Sequence, residues 1–125
     1  MITADPVLLV RSDIRSRMMQ ADFLSAAGFN IIEVESTDLA LSYLESRSDI
    51  QILITDIGMP GCLSGLDLAR FVSRRWPHIR VMIVGWPLHP TPSLPQGVSF
   101  VPEPCQPSLL IQEVREKLAS PLQSG

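Results

Sequence analysis

The chain has 125 residues, of which 46% are apolar and 18% charged, and its formal net charge is −3. At this length we predict a single domain, residues 1–125, that buries about two thirds of its surface and so forms a hydrophobic core. The net negative charge argues against nucleic acid or an anionic membrane as the main partner. Two cysteines are too few for a disulfide framework, so we expect the protein in the reducing cytoplasm.

Apolar runs and helical patterns alternate along the chain. Residues 7–10 (Val-Leu-Leu-Val) form a short continuous apolar run, which is typical of a strand buried on both faces of a sheet. Four more runs of strand length follow, at residues 29–34, 50–55, 79–84 and 98–101. Strands that alternate with helices in this way predict right-handed crossovers and a parallel sheet with helices on both faces.

Four helices are predicted from apolar residues spaced three or four positions apart. Ser12 or Asp13 can cap the start of the first helix, and Gly28 can end it. The second helix begins at Ser36 or Thr37. The apolar stripes of the four helices are, in chain order, Ile14, Met18, Ala21 and Leu24; Ala40, Leu41 and Leu44; Leu66, Ala69 and Val72; and Ile111, Val114 and Leu118.

The crossover between the fourth and fifth strands breaks the alternation. Residues 85–97 contain four prolines where another helix is due, and each interior proline costs a helix about 3 kcal/mol. We therefore predict an extended or turn-rich crossover in place of a fourth helix. Residues 81–102 also lack Asp, Glu, Lys and Arg over the length of a membrane span, but the five prolines in this stretch exclude a spanning helix. The predicted fold class is α/β, with a doubly wound five-stranded parallel sheet.

The functional crevice of an open parallel sheet lies beyond the carboxyl ends of its strands. The residues predicted at this rim are Arg11 and Ser12 after the first strand, Asp56 after the third, Gly85 after the fourth and Glu103 after the fifth. Asp56 is the most suggestive, because it ends an apolar strand and opens a loop rich in glycine and proline. The alternative is an aspartate that only caps a turn.

The segment around Asp56 resembles a known family. Asp56-Ile57-Gly58-Met59-Pro60-Gly61, followed by Gly65-Leu66-Asp67-Leu68, is similar to the segment that carries the phospho-acceptor aspartate in receiver domains of bacterial response regulators. Further family positions are occupied by Arg17, Ala40-Leu41, Trp76-Pro77 and Glu103-Pro104. The resemblance spans residues 7–118 and implies a flavodoxin-like, receiver-type fold. It also implies phosphorelay signalling through Asp56, with a histidine kinase or a downstream protein as partner.

Other positions depart from the family pattern. Arg11 and Ser12 stand where receivers carry two acidic residues that help to hold Mg²⁺. Gly85 stands where the family has Thr or Ser, and Glu103 where it has Lys. Phe100, at the family's switch aromatic position, keeps the ring but has no hydroxyl. The resemblance therefore implies a receiver whose phosphorylation pocket is altered.

We expect a degenerate receiver, with no metal and no cofactor, in which Arg11 pairs with Asp56 or Glu103 and fills the space of the metal. The alternative for Arg11 is a side chain that points to solvent and has no role in the pocket. The alternative function is a conventional receiver that is phosphorylated on Asp56 by a histidine kinase, and only then is Mg²⁺ expected. We predict no enzymatic activity, because a phosphatase of the haloacid dehalogenase type needs a second aspartate where this chain has Gly58. The sequence leaves open whether the chain forms a homodimer.

Apolar residues in the proline-rich crossover allow two interpretations. Trp86, Leu88 and Leu94 would suit contacts with a partner protein, because the prolines stiffen the loop and lower the entropic cost of binding. Alternatively, Trp86 covers the sheet in place of the missing helix.

Overall fold

The computed structural model describes residues 6–59, 63–86 and 92–119. Five strands and four helices lie in these ranges. In chain order they are β1 (Pro6–Val10), α1 (Ile14–Ala26), β2 (Asn30–Val34), α2 (Thr37–Ser46), β3 (Ile52–Asp56), α3 (Gly65–Arg75), β4 (Arg80–Gly85), β5 (Val98–Pro102) and α4 (Pro107–Ala119). Within the described ranges, no helix has both the length and the apolar character needed to cross a membrane.

The strands form one parallel sheet with the order β2-β1-β3-β4-β5. This confirms the predicted doubly wound α/β fold. The chain moves from β1 to β2 on one side and then crosses back to β3 on the other, so the order reverses at β1. Such a reversal opens a crevice beyond the carboxyl ends of β1 and β3, which is where ligands bind in this architecture.

Side chains of β1 alternate between two hydrophobic layers. Leu8 and Val10 belong to the layer that packs under α2 and α3. Val7 and Leu9 belong to the layer that packs under α1 and α4. All four residues are completely buried. A central parallel strand is covered on both faces, which explains why its sequence is apolar throughout rather than alternating.

The structure shows which residue caps each of the first two helices, where the sequence offered two candidates for each. Asp13 caps α1, because its carboxylate accepts a hydrogen bond from the amide of Ser16 at 2.9 Å. Hydrogen bonds from the hydroxyl and the amide of Ser16 hold the pKa of Asp13 below its usual value. Ser36 caps α2 by accepting from the amide of Leu39 at 3.2 Å. Gly28 follows the end of α1 with a φ of 102°, a conformation that favours glycine at this position.

The predicted apolar stripe of α1 is only partly right. Ala21 and Leu24 are buried against the sheet, as the spacing predicts, but Ile14 and Met18 are exposed. Gln20 is buried in their place, with 6% of its surface accessible. In α1, the polar residue Gln20 therefore faces the interior in place of Ile14 and Met18. Gln20 lies near the loop that follows β5.

The described part of the β4–β5 crossover is not helical. Residue 86 and residues 92–97 lie in bends, turns and irregular structure, as the prolines predict. Leu94 packs against the layer under α2 and α3, so it covers part of the sheet. Trp86 is 72% exposed and does not serve as a cover. Leu88 lies outside the described residues.

Gly65 places the start of α3 against the end of β3. Its amide donates to the carbonyl of Ile57 at 3.0 Å, and a Cβ at this position would overlap the carbonyl oxygen of Asp56. The backbone of α3 approaches the aspartate closely because residue 65 has no side chain. The residue therefore fixes the loop that follows Asp56.

We predict that Gly65→Ala lowers the free energy of unfolding by about 1–3 kcal/mol, because the added methyl forces the backbone apart. Gly58→Ala is the matched control, since a Cβ there meets no atom within 4 Å. It should change stability by less than about 0.5 kcal/mol. Urea unfolding of both variants measures the difference, and equal stabilities would contradict the close approach.

Candidate functional site

Three strand ends bring charged side chains together at one rim of the sheet. Asp56 is the last residue of β3, Arg11 follows β1 and Glu103 follows β5. The amide of Arg11 donates to the carbonyl of Val34 at 3.1 Å, and the amide of Glu103 donates to the carbonyl of Gly85 at 2.7 Å. Backbone hydrogen bonds therefore extend the strand pairing by one residue and set the direction of both side chains.

The guanidinium of Arg11 lies between the two carboxylates. Its Nη1 and Nη2 donate to Oε2 and Oε1 of Glu103 at 2.8 and 2.9 Å, which makes a bidentate pair. Nη2 also lies 3.2 Å from Oδ2 of Asp56. Arg11 is 4% exposed, so its side chain does not point to solvent. A single cation thus joins β1, β3 and β5.

The charges of this ion cluster do not cancel. Arg11 contributes one positive charge, and Asp56 and Glu103 contribute two negative charges, which leaves the cluster at −1 when all three are ionised. Burial by itself lowers the pKa of Arg11, but the hydrogen bonds and charge of Glu103, followed by those of Asp56, outweigh it. The pKa of Arg11 is therefore raised, and the guanidinium stays protonated at any pH at which the protein is folded.

Two residues of α1 support the cluster. Arg17 donates from Nη1 to the backbone carbonyl of Arg11 at 2.9 Å, and its Nε lies 3.4 Å from Oε1 of Glu33 on β2. Gln20 places Nε2 at 3.5 Å from Oε2 of Glu103. Gln20 was missed by the sequence reasoning. The sequence does contain an indication of this role. Its helical spacing places Gln20 on the same face of α1 as Arg17, Ala21 and Leu24.

Gly85 brings no hydroxyl to the site. A Cβ at this position would lie 2.8 Å from Cγ2 of Ile57 and 3.6 Å from Oδ1 of Asp56, and the φ of 155° disfavours any other residue. The side chain of Ile57 thus occupies the space next to the aspartate on this side.

The remaining predicted rim residues lie apart from the cluster. Ser12 is exposed, and Asp13 is committed to capping α1. Phe100 is half-buried on β5 and packs against the layer under α2 and α3. The structure therefore brings Arg11, Asp56 and Glu103 together, with Gly85 beside them.

A parallel α/β sheet with an aspartate at the end of β3 and a charged rim around it defines a receiver-type module. Residues 7–89 match the response regulator receiver domain, and the chain belongs to this family. It is thus a receiver domain of two-component response regulators.

Several known proteins are similar to this chain. The receiver domain of the hybrid histidine kinase CckA is 26% identical, with a TM-score of 0.74, over 90% of this chain and 98% of that one. The chemotaxis response regulator CheY4 of Vibrio cholerae has the same fold, with a TM-score of 0.76 at 17% identity over 92% of this chain and 99% of that one. A cyclic di-GMP phosphodiesterase of Thermotoga maritima is 28% identical over 78 residues, which is 62% of this chain. The matched region spans only 20% of the phosphodiesterase.

We predict that Arg11→Met lowers the free energy of unfolding by about 2–4 kcal/mol, because it leaves two half-buried carboxylates facing each other without a cation. Arg47→Met is the matched control. Arg47 pairs with Asp49 at 2.8 Å, the same distance as the Arg11–Glu103 pair, but both side chains of the Arg47–Asp49 pair are exposed. Its loss should cost less than about 1 kcal/mol in the same urea titration. Similar losses in the two variants would contradict a structural role for the cluster.

Proposed function

We propose that this receiver domain acts through protein contacts in a state that the Arg11 ion pairs hold without phosphorylation of Asp56. The observation that carries the proposal is the guanidinium lying between Asp56 and Glu103. In this state the three strand ends are already joined. The domain then presents one rim conformation to its partners regardless of phosphate.

Charge at the rim opposes a phosphoryl group on Asp56. Two unit charges 4 Å apart interact by roughly 4 kcal/mol at an effective dielectric constant of 20. Glu103 stands where the family has Lys, so an attraction of this order is replaced by a repulsion. Arg11 offsets part of the difference, but the same guanidinium is already bound to both carboxylates. Since each 1.4 kcal/mol is about a factor of ten, we expect phosphotransfer to be strongly impaired.

The residues present do not fit the Mg²⁺ ion that the family implies. Mg²⁺ needs carboxylate and other oxygen ligands in near-octahedral order. Asp56 Oδ2 instead faces the guanidinium of Arg11 at 3.2 Å, and Ser12 is exposed. Among the described residues, no group of three or more Asp, Glu, His or Cys side chains could hold a metal. We therefore propose a domain that uses no metal and no cofactor.

The proposed partners are signalling proteins, either a histidine kinase or a downstream protein. We propose binding rather than catalysis as the role of this chain, although the phosphodiesterase relative shows that similar segments occur within larger proteins. The net charge of −3 favours protein partners over nucleic acid or anionic membranes.

A second candidate function is a conventional phospho-acceptor. It is favoured by the position of Asp56, which ends β3 as the phospho-acceptor of the family does and whose side chain is 22% exposed. Arg11 could bind a phosphoryl oxygen if it released Asp56. The two candidates differ in whether Asp56 reacts at all.

We predict that incubation with acetyl phosphate and Mg²⁺ leaves the intact mass of the protein unchanged, because Glu103 and Arg11 disfavour the phosphorylated state. Asp56→Asn is the control for reaction at other residues. A stoichiometric gain of one phosphoryl group that disappears in Asp56→Asn would establish the conventional function instead.

The double variant Arg11→Asp, Glu103→Lys tests the cause. It returns an acidic residue and a lysine to their family positions and leaves the net charge unchanged, since one substitution removes the two charge units that the other adds. We expect it to gain Asp56-dependent phosphorylation by at least about tenfold, which corresponds to 1.4 kcal/mol. Circular dichroism verifies that the variant is folded, and a folded variant that stays unreactive would show that the charges are not the cause.

Mg²⁺ titration by isothermal calorimetry should detect no binding of millimolar affinity or better to the natural sequence, because a cation already faces Asp56. Arg11→Asp should bind Mg²⁺, since it replaces that cation by a carboxylate, the third beside Asp56 and Glu103. Millimolar binding by the natural sequence that is lost in Asp56→Asn would contradict the proposal.

A further inference from the structure

A cavity of about 340 Å³ is lined by both members of the Arg11–Glu103 ion pair and not by Asp56. Its walls are mostly apolar: α1 contributes Met19 and Phe23, and Trp86 and Pro104 line other sides. Pockets for small molecules begin at about this volume and combine apolar walls with a few polar groups. We propose that this cavity binds a small organic cation with an aromatic body.

The accessible charge in the cavity is negative. Among the residues that line it, only Arg11 and Glu103 are charged. The Arg11 side chain is 5% exposed, and both of its terminal nitrogens donate to carboxylates, whereas the Glu103 side chain is 21% exposed. The remaining nitrogen of Arg11, Nε, is enclosed by protein. A ligand entering the cavity therefore meets a carboxylate and not a free guanidinium.

Glu103 can accept a further hydrogen bond. A carboxylate accepts about four. Arg11 supplies one to each oxygen, and Gln20 approaches Oε2 at 3.5 Å. Oε1 thus keeps acceptor capacity. Because the ion cluster with Asp56 carries a charge of −1, an incoming ammonium or amidinium group is favoured over a neutral donor and an anion is repelled.

Aromatic side chains complete the match to such a ligand. Trp86 is 72% exposed, and it lines the cavity together with Phe23. An aromatic face attracts a cation and stacks on a planar ring. Cys105 also lines the cavity, and burial together with the charge of Glu103 raises the pKa of its thiol, so it forms a neutral part of the wall. The inference does not depend on whether Asp56 accepts a phosphoryl group.

The test is a titration of the ¹⁵N-labelled protein with benzamidine, followed by two-dimensional NMR. We expect saturable shifts of the Gln20 side-chain amide, the Trp86 indole and the Cys105 amide, with a Kd of about 1 mM or tighter. Benzamide, the neutral analogue, should bind at least tenfold more weakly, and benzoate should not bind. Benzamide binding as tightly as benzamidine, shifts that map elsewhere, or no saturation would overturn the proposal.

Variants separate the two parts of the recognition. Trp86→Ala changes an exposed residue and should raise the Kd for benzamidine at least threefold, whereas Phe71→Ala, at an exposed aromatic on α3 outside the cavity, should leave it unchanged. Glu103→Gln keeps the size of the side chain and removes its charge, and it should raise the Kd at least tenfold. An unchanged Kd in Trp86→Ala would reject the cavity as the binding site, whether or not Glu103→Gln is folded.

Discussion

One guanidinium group joins three strands at the crevice of this receiver domain. Arg11 contacts Glu103 through two hydrogen bonds and Asp56 through a third, and it is almost completely enclosed while doing so. An arginine in this place is costly to bury unless it is paired, and removing its partners would leave it isolated. The positions of the three residues therefore depend on one another. Arg11, Asp56 and Glu103 thus form one connected charge cluster rather than three separate side chains.

Much of this arrangement follows from the sequence because strand ends in a parallel sheet meet at one edge. Once residues 7–10, 50–55 and 98–101 are assigned as parallel strands, Arg11, Asp56 and Glu103 are expected at the same rim of the sheet. The resemblance of the segment after Asp56 to the family motif identifies Asp56 as the residue at the end of its strand. The close approach of Gly65 to the backbone of Asp56 is consistent with that position. Local rules were sufficient here, since each residue directly follows or ends a strand.

Other features depended on tertiary packing and could not be derived in the same way. The apolar spacing of α1 indicated Ile14 and Met18 as buried, yet the helix turns Gln20 inward. Gln20 approaches Glu103 in the loop after β5, a residue 83 positions away in the sequence. The exposure of Trp86 was likewise open, because a tryptophan next to a missing helix fits a cover and a contact surface equally well. The bidentate geometry of Arg11 depends on side-chain reach, which spacing does not describe.

Arg17 extends the consequences of this network to the far side of the sheet. It holds the backbone carbonyl of Arg11 and pairs with Glu33 on the edge strand β2, while the Arg11 side chain pairs with Glu103 after the opposite edge strand β5. Polar contacts therefore connect the two edges of the sheet through Arg11: its backbone carbonyl is on the β2 side and its guanidinium is on the β5 side. A shift of the Arg11 backbone would therefore alter the contacts at both edges of the sheet.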